Sequence, residues 1–208
     1  MVLVLASTSP WRLNLLTSVG FSPIAVDPKV DEDPIVGENP VQTAQLRAAA
    51  KSAAVLKKKL NEGADRSLVI VAADQVVYLD DVIFGKPRSD SLWFERLKKL
   101  RGQAHGLTTA VEVIFVESEK IIRKISFHET TKIHMRSDLS DEELWAYVRL
   151  GEASGCAGGY MVERGGAWLI SQIEGDYSNV VGLPIPSLVQ ALRELGLKPS
   201  WLFKESKN

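Results

Sequence analysis

Three groups of residues have the types and spacing that chemistry on a phosphate needs. The first is Ser7-Thr8-Ser9-Pro10-Trp11-Arg12, which follows the apolar run Val2–Ala6. Hydroxyls, free backbone N–H groups and the positive end of a helix, with a guanidinium fork nearby, form a natural seat for phosphate oxygens. The same residues also suit an ordinary helix cap followed by a surface arginine. The second is Asp74, which closes the most apolar run of the chain, Ser67–Ala73. A carboxylate at the carboxyl edge of a sheet can hold Mg²⁺ or orient an attacking water, or it can cap the next turn. The third is Asp31-Glu32-Asp33 in a proline-rich stretch, which offers oxygen ligands to a hard cation and equally suits a solvated acidic loop.

Other candidates say less singly. Lys51 lies in an Ala-rich stretch and Lys86 in the turn Gly85-Lys86-Pro87, and each has the default reading of a surface lysine. The glycine-dense segment Gly155–Gly166 surrounds Glu163-Arg164, where glycines allow close approach to a ligand or simply make tight turns. His105, His128 and His134 lack the spacing of metal ligands and read as strand residues. Cys156 is the only cysteine, so an intrachain disulfide and a Cys-rich zinc site are excluded, and the thiol reads as a small packed side chain. Neither a G-x-x-x-x-G-K-[ST] nor a G-x-G-x-x-G pattern is present, which removes the Walker and dinucleotide sites.

The elements that must position these residues follow from local pattern. Val2–Ala6 predicts a short buried strand, and Trp11–Val19 a helix entered through Ser9 and Pro10. Phe21–Val26 predicts a second strand, Asp27–Pro40 a loop, and Val41 to about Leu60 a long helix ending in lysines. Ser67–Ala73 predicts a buried strand, Gln75–Leu79 a separate short one, and Asp80-Asp81 a turn. Ser89 to about Leu100 predicts a helix, and Thr108–Glu117 with Ile121–Met135 a long hairpin around Ser118–Lys120. Ser140 and Glu143 form a capping box for the next helix. Gly151–Gly166 is irregular, Ala167–Ile173 a strand, Glu174–Val181 a loop and Pro186–Leu195 the last helix. Alternating strands and helices with antiparallel β in the middle predict an α/β fold, a mixed central sheet flanked by helices.

The chain has 208 residues, with 45% hydrophobic and 25% charged. That is globular composition with enough length for a core without disulfides or structural metal, and it predicts one domain over 1–208 with room for two lobes around a cleft. Lys and Arg number 25 against 26 Asp and Glu, for a net charge of −1, which excludes bulk electrostatic binding to nucleic acid. Val2–Ala6 is too short for a signal-peptide core, and no stretch approaches the roughly 20 apolar residues that span a bilayer. A soluble cytoplasmic protein without a membrane partner is expected.

Taken together, Ala6-Ser-Thr-Ser-Pro-Trp-Arg12, Val30-Asp-Glu32, Ala73-Asp-Gln75, Gly85-Lys-Pro87 and Glu174-Gly-Asp-Tyr-Ser-Asn-Val-Val-Gly-Leu-Pro184 resemble, in order and interval, the motifs of the Maf family. The likeness runs from about residue 2 to residue 196. It implies a fold similar to that of inosine triphosphatases and hydrolysis of a nucleoside triphosphate to the monophosphate and pyrophosphate with Mg²⁺ or Mn²⁺. It also implies a homodimer. By position it implies that Asp74 activates water and faces the metal, Glu32 lies beside the metal or the reacting phosphate, Ser7, Ser9 and Arg12 grip phosphate, and Lys51 and Lys86 neutralise charge. Lys51 sits in Leu46-Arg47-Ala-Ala-Ala-Lys51-Ser52, offset from the family's pattern.

Three positions bear on the substrate. Family members acting on dTTP and UTP carry Ser-Pro-Arg-Arg, Ala-Asp-Thr and a Gln in the glycine-rich segment, where this chain has Trp11, Gln75 and Glu163. That trio resembles the branch hydrolysing 7-methyl-GTP. An indole face attracts a cationic ring, and a carboxylate accepts from guanine N1–H and the 2-amino group. The Glu174–Pro184 run resembles the dTTP/UTP branch instead. Hydrolysis of 7-methyl-GTP is the expectation. A dTTP/UTP pyrophosphatase and a nucleotide-binding regulator of septum formation with little catalysis are the alternatives that the resemblance leaves.

Overall fold

A computed structural model of the chain describes residues 1–63 and 67–203. Its strands are β1 (Val2–Leu5), β2 (Ile24–Ala25), β3 (Leu68–Leu79), β4 (Val82–Phe84), β5 (Ala104–Glu117), β6 (Lys120–Met135) and β7 (Ile170–Glu174). Its α-helices are α1 (Pro10–Ser18), α2 (Pro40–Asn61), α3 (Asp90–Leu100), α4 (Asp141–Leu150), α5 (Tyr177–Val181) and α6 (Ile185–Glu194). The strands form one mixed sheet in the order β2-β1-β3-β5-β6-β7, with β4 on β3. The β1 pairings to β2 and β3 are parallel and the rest antiparallel. The expected mixed α/β sheet flanked by helices is therefore the architecture found.

Local chemistry starts and stops these elements, at Ser9 and Ser140 as anticipated. Ser9 caps α1 with Pro10 in the first turn, and Asn39 caps α2 with Pro40. Both groups of the Ser140–Glu143 capping box are bonded, and Gly151 ends α4 in the left-handed region at φ 74°. Two tight turns with positive φ at both central residues, Asp80-Asp81 and Ser118-Glu119, join β3 to β4 and β5 to β6. Such turns match the twist of the strands they connect.

Helices cover both faces of the sheet. Residues of α2, including Ala44, Ala48 and Val55, pack on Ile70, Ala72 and Val76 of β3. Leu16 of α1 and Leu188 and Leu192 of α6 pack on Val69, Val71 and Val113 from the opposite side. Farther along, α3 and α4 bury Trp93, Leu97, Leu144 and Tyr147 against Val77, Leu107 and Ile133. Side chains alternate across β3, so even positions face α2 and odd positions face α1 and α6.

Four expectations need correction. Only Ile24–Ala25 of Phe21–Val26 pairs as a strand, because Phe21 turns inward to the α1–α6 core. Ser67–Ala73 and Gln75–Leu79 are parts of one strand, β3, since β5 pairs with it without a break through Asp74. Asp74 is thus mid-strand and does not end one. The region expected as strand Ala167–Ile173 begins as a 3₁₀ turn, Gly165–Leu169, and only then becomes β7. The expected loop Glu174–Val181 contains α5, capped by Asp176.

Candidate active site

One edge of β3 is interrupted. β1 pairs with it up to Val71, β4 resumes at Val77, and Ala72–Val76 has no strand on that side. The Val71 carbonyl accepts from Ala6 N–H at 2.8 Å, the last bond of the parallel ladder. The next carbonyl on this edge, that of Ala73, accepts instead from Arg12 Nη1 at 2.8 Å, and Arg12 Nε reaches the Gly182 carbonyl at 2.9 Å. Arg12 therefore substitutes for a missing strand and ties α1 to β3 and to the end of α5. Its other guanidinium hydrogens remain for a ligand. Burial lowers its pKa, while Asp74 and Glu32 oppose that shift.

A cleft of about 560 Å³ opens at this gap. All ten residues to which the Maf resemblance gives a role in catalysis, phosphate binding or substrate choice line it: Ser7, Ser9, Trp11, Arg12, Glu32, Lys51, Asp74, Gln75, Lys86 and Glu163. At its floor the Lys51 ammonium lies 2.6 Å from Asp74 Oδ1 and 2.8 Å from Glu32 Oε1. Lys51 is 6% exposed and Asp74 3%, so the default reading of Lys51 as a surface lysine is overturned. The reason is its place on α2. Thr43, Ala44, Ala48, Lys51, Ser52 and Val55 form the buried stripe of that helix, and a lysine on such a stripe must find carboxylates. Of Asp31-Glu32-Asp33 only Glu32 turns into the cleft, its flanking acids remaining exposed.

The two carboxylates are polarised in opposite directions. Burial raises the Asp74 carboxyl above its usual range, although Lys51 and Arg12 pull it down; nearby Glu32 adds to the rise. Burial acts the same way on Glu32, but its hydrogen bond and attraction to Lys51, with help from Asp74 and Arg47, outweigh it and hold Glu32 below the ordinary range. Such divergence separates a proton acceptor from a fixed charge. Asp74 Oδ2 is buried without a hydrogen-bond partner, so this carboxylate keeps acceptor capacity that the protein does not use. No group of three or more His, Cys, Asp or Glu among the described residues could hold a metal ion. Glu32 and Asp74 fit a hard cation only as a partial ligand set, the situation of Mg²⁺ sites completed by substrate phosphates and water.

The α1 entrance supplies hydroxyls. Ser7 Oγ accepts from Ser9 N–H at 3.1 Å, and Ser9 Oγ accepts from Arg12 N–H at 3.5 Å. Both act as acceptors there, which leaves each hydroxyl hydrogen for an anion. Lys86, in the turn after β4, is exposed at the cleft wall. It makes no ion pair among the described residues.

The opposite wall is the glycine-rich segment, held by side chains of α3 and α4. Trp93 Nε1 donates to the Gly159 carbonyl and Arg96 Nη1 to the Ala157 carbonyl, both at 2.6 Å. Met161 N–H donates to Tyr147 Oη at 3.0 Å. A Cβ on Gly166 would lie 2.5 Å from the Met161 carbonyl oxygen, so only glycine fits there. The segment presents Cys156, Tyr160 and Glu163 to the cleft. Burial pushes the Cys156 thiol up, with Glu163 raising it further and Lys86 opposing, which agrees with a packed thiol. Trp11 is partly buried against the α3–α4 core, and the Arg164 guanidinium stands 5.1 Å from its ring centroid. The indole face thus already holds a cation.

Four further residues, to which the sequence assigned no role in the site, contribute to it. Thr109 Oγ1 and the Asn179 carbonyl both accept from Gln75 Nε2, at 3.1 and 2.6 Å. Buried His105 Nε2 meets Tyr160 Oη at 2.6 Å. Thr109 and His105 are polar residues inside the apolar run of β5, whereas Asn179 lies on α5 within the Glu174–Pro184 motif and Tyr160 in the glycine-rich segment. His128 and His134 are strand residues of β6, as expected, and His134 Nε2 stands 2.8 Å from Glu174 Oε1.

The whole chain was compared with known proteins. The family described as Maf-like protein matches residues 2–195. A protein of Aquifex aeolicus named dTTP/UTP pyrophosphatase is 37% identical over 95% of this chain and 97% of its own length. One of Corynebacterium efficiens named nucleoside triphosphate pyrophosphatase is 34% identical over 96% and 98%. Among solved structures, the Ham1 protein of Staphylococcus aureus aligns at a TM-score of 0.39 and 14% identity, over 66% of this chain and 73% of its own, a likeness too low to carry any argument.

Two outcomes follow from the buried charges. Lys51→Met leaves Asp74 buried without its counter-ion and should lower stability by about 3 kcal/mol in urea unfolding at pH 7; an unchanged midpoint would show that the ion pair contributes nothing. Burial, with the nearby His134 charge, lowers His105 from 6.5 to about 4. As pH falls from 6.5 the unfolded chain takes up this proton first, so stability drops by roughly 3 kcal/mol towards pH 4. His105→Gln should flatten that part of the stability–pH curve, and an equal slope in both proteins would refute the assignment.

Proposed function

The chain belongs to the family of Maf-like proteins, and from that premise we propose that it is a nucleoside triphosphate pyrophosphatase, releasing the monophosphate and pyrophosphate. The observation that carries this reading is Lys51 buried between Asp74 and Glu32 on the floor of a cleft whose walls bring Ser7, Ser9, Arg12 and Lys86 together. The names of relatives similar along nearly the whole chain support it.

Phosphoryl chemistry is mostly positioning and charge stabilisation. Ser7, Ser9 and Arg12 seat the phosphate oxygens, and Lys86 meets the charge that develops on the departing pyrophosphate. Asp74 Oδ2, unpartnered and on a carboxyl of raised proton affinity, takes a proton from the attacking water. The water oxygen bonds to the α-phosphorus as the bond from that phosphorus to the bridging oxygen breaks. Lys51 holds Asp74 in place and Glu32 remains ionised. Glu32 and Asp74 would hold a divalent cation, Mg²⁺ or Mn²⁺, which would supply Lewis-acid polarisation of the phosphate.

For the base, the reading is 7-methyl-GTP. It is supported by Trp11, Gln75 and Glu163 lining one cleft, by the affinity of the Trp11 face for a cation, and by the acceptor-only carboxylate of Glu163. The second reading, dTTP or UTP, is favoured by the Aquifex aeolicus relative's name. A cytoplasmic homodimer acting on free nucleotides is the accompanying proposal; no helix among the described residues is long and apolar enough to cross a membrane.

Asp74→Asn should reduce pyrophosphate release at least 100-fold with an unchanged circular dichroism spectrum, since catalysis by a positioned base contributes about that much. Full turnover in that variant would remove Asp74 from the reaction. Pyrophosphate release from 7-methyl-GTP, GTP, dTTP, UTP and CTP, measured for wild type and Glu163→Gln, tests the base. Preference for 7-methyl-GTP that weakens in the variant supports the first reading; preference for dTTP or UTP in wild type supports the second. Tight binding with no pyrophosphate from any nucleotide would overturn the enzyme reading and leave a binding regulator.

A further inference from the structure

Gln75 follows Asp74 on β3 but faces the other side of the sheet, so it reaches the cleft from the α1–α5 face. Its Nε2 donates to Thr109 Oγ1 at 3.1 Å and to the Asn179 carbonyl at 2.6 Å. A side-chain amide has only two N–H groups, so both are engaged within the protein. Thr109 is the residue directly opposite Gln75 in the β3–β5 ladder. Thr109 and Asn179 are both fully buried. Rotating the amide by half a turn would press its oxygen against the Asn179 carbonyl, acceptor against acceptor, and leave an unpaired buried group.

The carbonyl that enforces this orientation cannot drift. Asn179 Nδ2 shares its two N–H groups among three acceptors, Thr131 Oγ1 at 3.0 Å and the Leu107 and Glu129 carbonyls, each at 3.3 Å. Thr131 Oγ1 in turn donates to the Asp176 carbonyl at 3.1 Å, at the start of α5. The Asn179 side chain thereby pins α5 to β5 and β6. Gln75 Oε1 is then the amide atom left to meet a ligand in the cleft.

We propose that Thr109 and Asn179 are positioning residues for base selection, which hold Gln75 as a fixed acceptor so that the cleft selects a base with a hydrogen-bond-donating edge. Together with the Glu163 carboxylate on the facing wall, the site then accepts the N1–H and 2-amino group of a guanine ring. It disfavours thymine and uracil, whose edges present two carbonyl oxygens around one N–H. A site built to pair with polar groups rejects a ligand that leaves those groups unpaired. This inference rests on the nucleotide reading above and adds residues that do not themselves touch the base.

The test compares Thr109→Val, which keeps shape but removes the oxygen, with Thr109→Ser, which keeps the oxygen. For each, KM and kcat are measured with GTP and UTP, and binding of GMP and UMP is measured by calorimetry. Thr109→Val should raise KM for GTP about tenfold, with kcat changed less than threefold, and shrink the GMP-over-UMP binding ratio by a similar factor. Thr109→Ser should stay within threefold of wild type. Thr109→Ala takes the place of the Val variant if that one does not fold. A Val variant with the wild-type GMP-to-UMP ratio would overturn the proposal, and so would equal loss for both nucleotides in Val and Ser variants or a wild type that binds UMP better than GMP. Absence of pyrophosphate release from wild type would overturn the enzyme reading alone, because the binding ratio still decides the role of Thr109.

Discussion

A lysine ammonium with carboxylates at 2.6 and 2.8 Å, beneath α2 and almost closed to water, sets the terms for the rest of this molecule. Removing an ammonium and a carboxylate from water costs several kcal/mol for each ion, and only close pairing offsets it. The loop carrying Glu32 must therefore fold back over the sheet, and α2 must dock with its Lys51 stripe against β3. The same triad leaves one oxygen of Asp74 unbonded. The site is thus electrostatically compensated while Asp74 retains an unused acceptor.

The interrupted edge of β3 is what turns that triad into a cleft. Because β1 stops at Leu5 and β4 resumes only opposite Val77, the strand is exposed where Asp74 and Gln75 lie. Strand pleat then separates their duties. Asp74 faces α2 and the ion pair, while Gln75 faces α5 and its two buried acceptors. Arg12 keeps the gap from being a defect, since its guanidinium satisfies the Ala73 carbonyl that a strand would otherwise meet. One arginine therefore stabilises the opening and contributes to its charge.

Rigidity around the base end comes from the second core. The glycine-rich segment buries Tyr160, Met161 and Val162 in that core, and Trp93, Arg96 and Tyr147 fix its backbone from α3 and α4. Such anchoring from rigid elements suits a wall that must hold Glu163 at a constant distance from a ligand. The stacking of Arg164 on Trp11 belongs to the same wall and displays the affinity of the indole for positive charge.

Local signals in the sequence determined where elements begin and end: Ser9 before Pro10, Asn39 before Pro40, and the Ser140–Glu143 box are complete within four residues. The sequence also supplied the residue types of the site: Ser7, Arg12, Glu32, Asp74 and Lys86 each had an ordinary reading alone, and their order pointed to phosphate and metal chemistry through its resemblance to the Maf motifs. Even the burial of Lys51 was legible in principle, since it falls on the stripe of Ala44, Ala48 and Val55. The continuity of β3 through Asp74, the strand-like service of Arg12, and the Thr109–Asn179 hold on Gln75 were decided by tertiary structure alone. Gln75 and Asn179 are 104 residues apart in the chain and 2.6 Å apart in space. No local propensity encodes such a bond; it exists because packing places two buried polar groups where each would otherwise go unsatisfied.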